Sequence, residues 1–410
     1  MKRKVVWIVN EYNGPDNIRS RQSVLCQRLI ECGYDCYVVS GSAKHKDGGN
    51  SIKGKNKFEY VESDGAKHYV IKTSSYKRSF ERILVSIQFQ RRLWKLRKSL
   101  PEPNVIVSDF AGLFGNVFLK WKKKYGTKVI YDILDLWPEG FVNMGYIKKS
   151  SLLAKYLYGL EHKSYKNADG IIFSFQGGKD YLIDKGWSKE FGGDVDTSDI
   201  GYLNNGVDLE SFFQNKSSFV YDDADLKSDK FKIIYLGSIS AFNGIDKIVE
   251  SARVLKERSV SNAVFLVYGY GNQDAAIRQL INKYKLDNII MKGKIDKRFA
   301  PSLLSQGDLN IFTFKNTGLL KYGVSPNKLF MYFASGKPVL SMIKPAYDLV
   351  EDRKCGVSVD NSPELVADKI IEFINMSKEQ YNLYCHNSSC VAQEYDYKNL
   401  VKELIRFIEK

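Results

Sequence analysis

One pattern restricts this chain more than any other, and the chain states it twice. Val5–Val9 is a short apolar run. It is followed by the polar loop NEYNGPDNIRSRQ, a helical stretch over about 23–32 that stops at Gly33, and a second apolar run at 35–40. Residues 231–257, FKIIYLGSISAFNGIDKIVESARVLKE, repeat strand, loop and helix, and 264–268 supplies the next strand. Continuous apolar runs suit strands buried on both faces, and intervening helices suit parallel connections. Each half therefore predicts a doubly wound, mostly parallel α/β sheet. At 410 residues the chain is too long for one such core, so two domains in series are expected.

Further strands are expected at 104–108, 129–134, 170–174, 201–203, Ile289–Gly293, 308–312 and 338–342. The expected domains are 1–209 and 231–392. The polar segment 210–230 reads as a linker, and an amphipathic end, about 393–410, is expected to pack back on the first domain. Residues 41–66, rich in Gly, Lys and Ser, read as a mobile loop.

Net charge is +15 and unevenly placed: residues 1–209 hold 34 Lys+Arg against 23 Asp+Glu, the remainder 28 against 24. A basic first half asks for an anionic partner. The charge is densest over 76–99, with eight basic side chains and one acidic. Phe80, Ile83, Leu84, Ile87 and Trp94 fall near one helical face there. Two readings stand: a helix on an anionic membrane surface, or a helix packed on the sheet with a solvated basic side. No recognition module accompanies the charge, so nucleic acid is not an expected partner. No apolar run reaches the roughly 18 residues of a membrane span, and the amino terminus lacks the apolar core of a signal peptide. Six scattered cysteines without CxxC spacing read as reduced packing residues, which points to the cytoplasm.

The second half holds an apparent anion site at 322–340, YGVSPNKLFMYFASGKPVL. Ser325 suits an N-cap, Pro326 the first helical position, and Gly336 the end of the helix. Free N–H groups and a positive helix end would then lie beside Asn327 and Lys328, an arrangement suited to phosphate. A capped helix with a surface lysine fits the same residues. Gly237, Gly269 and Gly271 stand where strands give way to loops, where glycine lets backbone approach a ligand. In the first half, Asn13, Arg19 and Arg21 occupy the loop after the first strand, where the arginines either meet an anion or are simply solvated. Asp135, Trp137 and Glu139 end the strand 129–134. Asp135 either meets a substrate hydroxyl or caps the following turn. The pair Asp194 and Asp196 lies in a Gly-rich loop with no strand before it and is not expected to hold a metal.

Taken in order, these residues resemble the retaining glycosyltransferases of family 4, with the GT-B architecture of two Rossmann-like domains facing across a cleft. The likeness is carried by Asp135-Leu136-Trp137-Pro138-Glu139, Asn205-Gly206-Val207-Asp208, Tyr235-Leu236-Gly237-Ser238-Ile239 and Gly269-x-Gly271. Gly293, Ser325-Pro326-Asn327-Lys328 and Ala334-Ser335-Gly336-Lys337-Pro338-Val339 complete it. It is nearest to the bacterial subgroup that builds capsule, O-antigen or exopolysaccharide. The resemblance implies a nucleotide-sugar donor, UDP-linked by preference, and no metal or other cofactor. Gly237, Ser238 and Asn243 would line the donor pocket. Gly269, Gly271, Lys294 and Ile295 would flank base and ribose, and Ser325, Pro326, Asn327 and Lys328 would take the diphosphate. Asp135 and Lys328 are the implied catalytic residues. Asn13, Arg19, Arg21, Trp137 and Glu139 lie on the side of a lipid-linked saccharide acceptor, and the enzyme would sit peripherally on the inner membrane face. Two glutamates usual in the family fall here at Gly323 and Met331, and the usual Lys-Gly pair appears as Asn243-Gly244. A sugar-nucleotide epimerase or hydrolase, and a non-catalytic partner of an active transferase, are the alternatives.

Overall fold

The computed structural model describes residues 3–17, 19–44, 48–78, 81–315 and 317–410; Phe80 lies outside the described residues. The chain divides into two compact units, Met1–Asn204 with Tyr397–Lys410, and Asn205–Asp396.

The first unit is built on eight strands: β1 (Val5–Val9), β2 (Asp35–Gly41), β3 (Phe58–Ser63), β4 (Ala66–Ile71), β5 (Val105–Ser108), β6 (Lys128–Ile133), β7 (Gly170–Phe173) and β8 (Ile200–Tyr202). Their order is β3-β4-β2-β1-β5-β6-β7-β8, parallel throughout except for the β3–β4 pair. Val6, Ile8, Val38, Val107, Ile130 and Ile172 form the core with Leu25 and Leu29 of the helix Arg21–Glu31. The helix Tyr397–Glu409 closes one face. Cβ atoms at Gly170 and Gly201 would sit 2.6 and 2.5 Å from the Phe407 ring, so that ring needs two bare strand positions to seat. Arg406 pairs with Asp199 at 2.7 Å, and the Tyr34 hydroxyl donates to Glu409 at 2.6 Å.

Two expectations are corrected here. Residues 41–66 are not one loop: β3 and β4 form an antiparallel hairpin around Asp64-Gly65, both at positive φ. The Asp-Gly turn between alternating residues is a strong hairpin signal that the polar composition masked. In the helix Glu81–Leu96, the buried side is Val85, Ser86, Phe89 and Leu93, while Ile83 and Leu84 are exposed. Trp94 packs edge-on against Trp121 at 4.7 Å. The sheet-packed reading therefore holds for this helix's main apolar side, with Arg91 and Lys95 exposed.

The second unit holds β9 (Phe231–Leu236), β10 (Ala263–Tyr268), β11 (Ile289–Gly293), β12 (Leu309–Phe312), β13 (Val339–Ser341) and β14 (Gly356–Ser358), in the order β11-β10-β9-β12-β13-β14, all parallel. The strand order reverses between β9 and β12, and the crevice at their carboxyl ends is where such sheets bind ligands. Residues 210–230 are not a linker. They include most of the helix Leu209–Ser218, capped by Asp208, and they belong to this unit. Tyr221 packs on Tyr268 and Phe299, and Lys292 pairs with Asp223 at 2.7 Å. A few aromatic anchors outweigh a polar composition.

Among the described residues, no helix is long and apolar enough to cross a membrane, and no group of three or more His, Cys, Asp or Glu is placed to hold a metal. Asp194 pairs with Lys166 at 2.7 Å, and Asp196 accepts from the Ser198 hydroxyl.

Candidate functional site

The best-built site lies where β9 and β12 end and the helix Asn327–Ala334 begins. Tyr332 fixes that helix to the sheet. Its phenol is fully buried, and a buried hydroxyl needs partners. It accepts the Leu236 N–H at 3.0 Å and lies 3.3 Å from the carbonyls of Leu236 and Ile311, so one side chain ties the helix to the ends of both strands. Lys328 stands four residues earlier, one turn up the same face.

Lys328 is the only charged residue of this helix. Its Nζ donates to the Tyr235 hydroxyl at 3.1 Å and to Asn243 Oδ1 at 3.4 Å, and lies 4.6 Å over the Tyr235 ring. All of these partners are neutral, and among the described residues no carboxylate pairs with it. Burial pushes its pKa down to about 8. The surrounding loop is itself fixed. Asn243 Nδ2 donates to the Ser238 carbonyl at 2.9 Å and to its hydroxyl at 2.7 Å, and the Tyr235 hydroxyl donates to the same carbonyl at 2.9 Å. A Cβ at Gly237 would stand 2.9 Å from the Tyr235 hydroxyl and 3.1 Å from Lys328 Nζ. Gly237, Ser238, Asn243 and Lys328, expected together, are brought together. Tyr235 and Tyr332, which complete the site, read in sequence as plain apolar positions.

The helix start differs from expectation. Pro326 is the N-cap and brings no side-chain cap, so the helix opens at Asn327. Ser325 does not cap. Its hydroxyl accepts from the Asn205 N–H at 3.2 Å and from Asn205 Nδ2 at 3.0 Å, and its carbonyl accepts from Nδ2 at 2.6 Å. Gly323 has φ +94°, a conformation that favours glycine, and Met331 is half-buried. Neither position puts a carboxylate near Lys328.

The glycine pair after β10 is tightly packed. A Cβ at Gly269 would come 1.8 Å from the Gly237 carbonyl oxygen, and one at Gly271 would come 2.0 Å from that of Ile239. Both glycines let two strand-end loops lie against each other. Lys294 is exposed, 5.2 Å over the Tyr270 ring, with half-buried Ile295 beside it.

In the first unit the expected residues separate. Arg21 is buried and pairs bidentately with Asp132, also donating to the Leu203 carbonyl at 2.8 Å. It is a core ion pair, with its guanidinium engaged inside the first unit. Glu139 is engaged with Lys185 and accepts from the Tyr158 hydroxyl at 2.6 Å. Burial pushes its carboxyl up, but Lys185 and Tyr158 together hold it below its ordinary pKa. These partners brace the helix Glu139–Asn143. Asn13 donates to Gln22 of the following helix at 2.7 Å and accepts from Asn17 of its own loop at 2.6 Å. Arg19 is exposed at φ +53°. Trp137 packs against Phe114 and Phe141 at 5.1 and 6.4 Å. Asp135 does not cap the next helix, whose N-cap is Pro138. Solvent reaches its carboxyl, while surrounding protein desolvates it and raises its pKa. Among the described residues it has no hydrogen-bond or ion-pair partner.

Known proteins resemble this chain in sequence and in fold. An uncharacterised glycosyltransferase of Methanocaldococcus jannaschii is 22% identical over 345 residues, covering 76% of this chain and 81% of that protein. A putative teichuronic acid biosynthesis glycosyltransferase of Bacillus subtilis, TuaH, is 26% identical over 227 residues, 53% of this chain and 51% of that one. Sucrose-phosphate synthase from Thermosynechococcus elongatus superposes with a TM-score of 0.72 at 15% identity, covering 99% and 98% of the two chains. Anabaena HepE in complex with UDP superposes with a TM-score of 0.66 at 13% identity, covering 99% of each. The chain thus has the α/β GT-B fold of two Rossmann-like domains. Residues 219–386, which hold the Lys328 site, match the family model of glycosyl transferases group 1.

Proposed function

We propose that the chain is a retaining, metal-independent glycosyltransferase that moves a sugar from a nucleotide-sugar donor, UDP-linked by preference, to a lipid-linked saccharide in the synthesis of a bacterial surface polysaccharide. The observation that carries the reading is Lys328, a largely buried cation whose partners among the described residues are all neutral, beside a helix start without a side-chain cap. A donor diphosphate would supply the missing negative charge and accept the free N–H groups. As the glycosidic bond to the leaving phosphate breaks, charge grows on its oxygens, and Lys328 is placed to stabilise it. Tyr332 and Asn243 hold that geometry in advance. Asp135, open to solvent and without a partner among the described residues, is the acceptor-side candidate, and its raised pKa keeps it closer to a group that both gives and takes a proton. The match to group 1 transferases and the UDP in HepE support the donor class; the name of TuaH supports the polysaccharide role.

The test is turnover of UDP-sugars with polyprenyl-diphosphate saccharides in the presence of chelator, with the product's anomeric configuration read by NMR. Transfer with retention is the expected result; transfer with inversion, or activity abolished by chelator, contradicts the mechanism. A second reading is favoured by Gly323 and Met331: with no carboxylate at either position, the chain would be a non-catalytic partner of an active transferase. Donor binding without turnover on any acceptor would establish it. Free or epimerised sugar formed without acceptor would instead mark a hydrolase or epimerase.

A further inference from the structure

We infer that residues 140–160 of the first unit form a docking element for an anionic phospholipid surface, an assignment that rests on the lipid-linked acceptor proposed above. Phe141, Met144, Tyr146, Leu152, Leu153 and Tyr156 all stand between 44 and 84% exposed within sixteen residues of chain. Scattered apolar side chains on a surface are ordinary, but a concentration of this size marks a binding face. The helix Leu152–Lys166, capped by Ser151, turns Ala154, Leu157, Glu161 and Tyr165 inward, which leaves Leu152, Leu153 and Tyr156 on its outer side. The rings of Trp137, Phe141 and Tyr146 follow one another at 6.4 and 6.1 Å, so the apolar surface continues from this lobe to the strand end that carries Asp135.

Charge selects the occupant. Residues 140–160 contain no Asp or Glu, and Lys148, Lys149 and Lys155 are exposed. Among the described residues, none of the three forms an ion pair. The flanking acid Glu139 is already neutralised by Lys185. Tyrosine, phenylalanine and leucine interleaved with lysine suit the boundary of head groups and acyl chains, where rings and aliphatic tails enter and ammonium groups meet phosphate. The basic helix Glu81–Leu96 is the weaker contact, because it spends Val85, Phe89 and Leu93 on its own core. Both helices pack against the turn Gly112–Phe114, so that helix can add charge beside the lobe. Seated in this way, the lobe brings the Asp135 strand end to the plane where a lipid-linked acceptor presents its head group.

The experiment is cosedimentation of the full chain with vesicles of phosphatidylcholine alone or with 30% phosphatidylglycerol (about that proportion suffices to set a negative surface potential). Wild type should bind the anionic vesicles and lose binding as salt rises. Leu152→Ser/Leu153→Ser and Lys148→Glu/Lys149→Glu/Lys155→Glu should each lower the partition coefficient by about tenfold or more, and Arg91→Glu/Lys95→Glu by clearly less. Circular dichroism and UDP titration of the same variants confirm that fold and donor site are intact. Equal binding by the lobe variants and wild type, or no wild-type binding to anionic vesicles, overturns the assignment. So does a wild-type dimer that becomes monomeric in Leu152→Ser/Leu153→Ser without any vesicle binding, which would make the lobe an interface between two copies. Vesicle binding by a chain that takes up no nucleotide would leave the lobe standing while the transferase reading fails.

Discussion

A lysine held among a phenol, an amide and a ring, with its pKa near 8, lowers the stability of the protein that carries it. Between about pH 8 and the ordinary lysine range near 10.4, the unfolded chain binds the proton that the folded chain has lost, so stability rises with pH across that window, and the cost is fully present below it. Lys328→Met keeps the volume and removes the charge. It should raise stability by on the order of 1 kcal/mol at pH 7, with the gain shrinking by pH 10, as read from urea denaturation. The same variant should lose donor binding. A variant that is no more stable at pH 7 would mean that the ammonium is better solvated than its partners imply. Gly237 and Gly269 fail differently. Ala at 269 forces a Cβ against the Gly237 carbonyl in a left-handed backbone and should destabilise the second unit by about 3 kcal/mol or more. Ala at 237 meets only two side-chain ends, one of them Lys328 Nζ, and should weaken donor binding more than stability. Lys328 was legible in the sequence because its helix signals surround it. Arg21 was not, because only the fold shows that Asp132, more than a hundred residues away, claims it.

At the scale of elements, the helix Asn327–Ala334 is positioned by one hydroxyl. Tyr332→Phe removes the hydrogen bonds to the ends of β9 and β12 and leaves buried backbone groups without that partner; a cost of about 1–3 kcal/mol is expected, with weakened nucleotide binding. Stability lost without any change in binding would show that the helix start does not depend on this pin. Arg21→Met strands a buried Asp132, and the first unit should lose about 3–5 kcal/mol, which thermal unfolding would report. Most strands could be read from apolar runs: β1 and β11 fall where their runs predict, residue for residue. The hairpin β3–β4 escaped because the Gly- and Lys-rich residues before Phe58 dominate the composition of the segment, although Asp64-Gly65 marks its turn. The helix Leu209–Ser218 escaped because burial of Phe212, not average composition, decides where a polar segment belongs. Ser325 is the clearest case of local propensity overridden. It has the chemistry of an N-cap, but Asn205 holds both its hydroxyl and its carbonyl.

At the scale of the molecule, the repeated strand-loop-helix pattern was enough to give two doubly wound sheets, and the solved structures share that fold over nearly the whole chain. The site was legible in part. Gly237, Ser238, Asn243 and Lys328 converge, whereas Gly269 and Gly271 serve loop packing, and Arg21 and Glu139 are internal ion pairs. Sequence shows which residue types are present at strand ends; it does not show which of them the protein has already used for itself. The basic charge of the first unit is likewise legible, but its exposed apolar partner at 141–156 appears only when burial is known. A nucleotide diphosphate should complete the charge at Lys328, and calorimetric titration with UDP, GDP and their sugar conjugates at pH 7 and 9 would show whether it does. Selective binding of one nucleotide is expected, weaker at pH 9 than at pH 7, with a loss of about 1.5–3 kcal/mol in Lys328→Ala together with its pH dependence. Binding that is unchanged in Lys328→Ala, or no binding of any nucleotide, would contradict it.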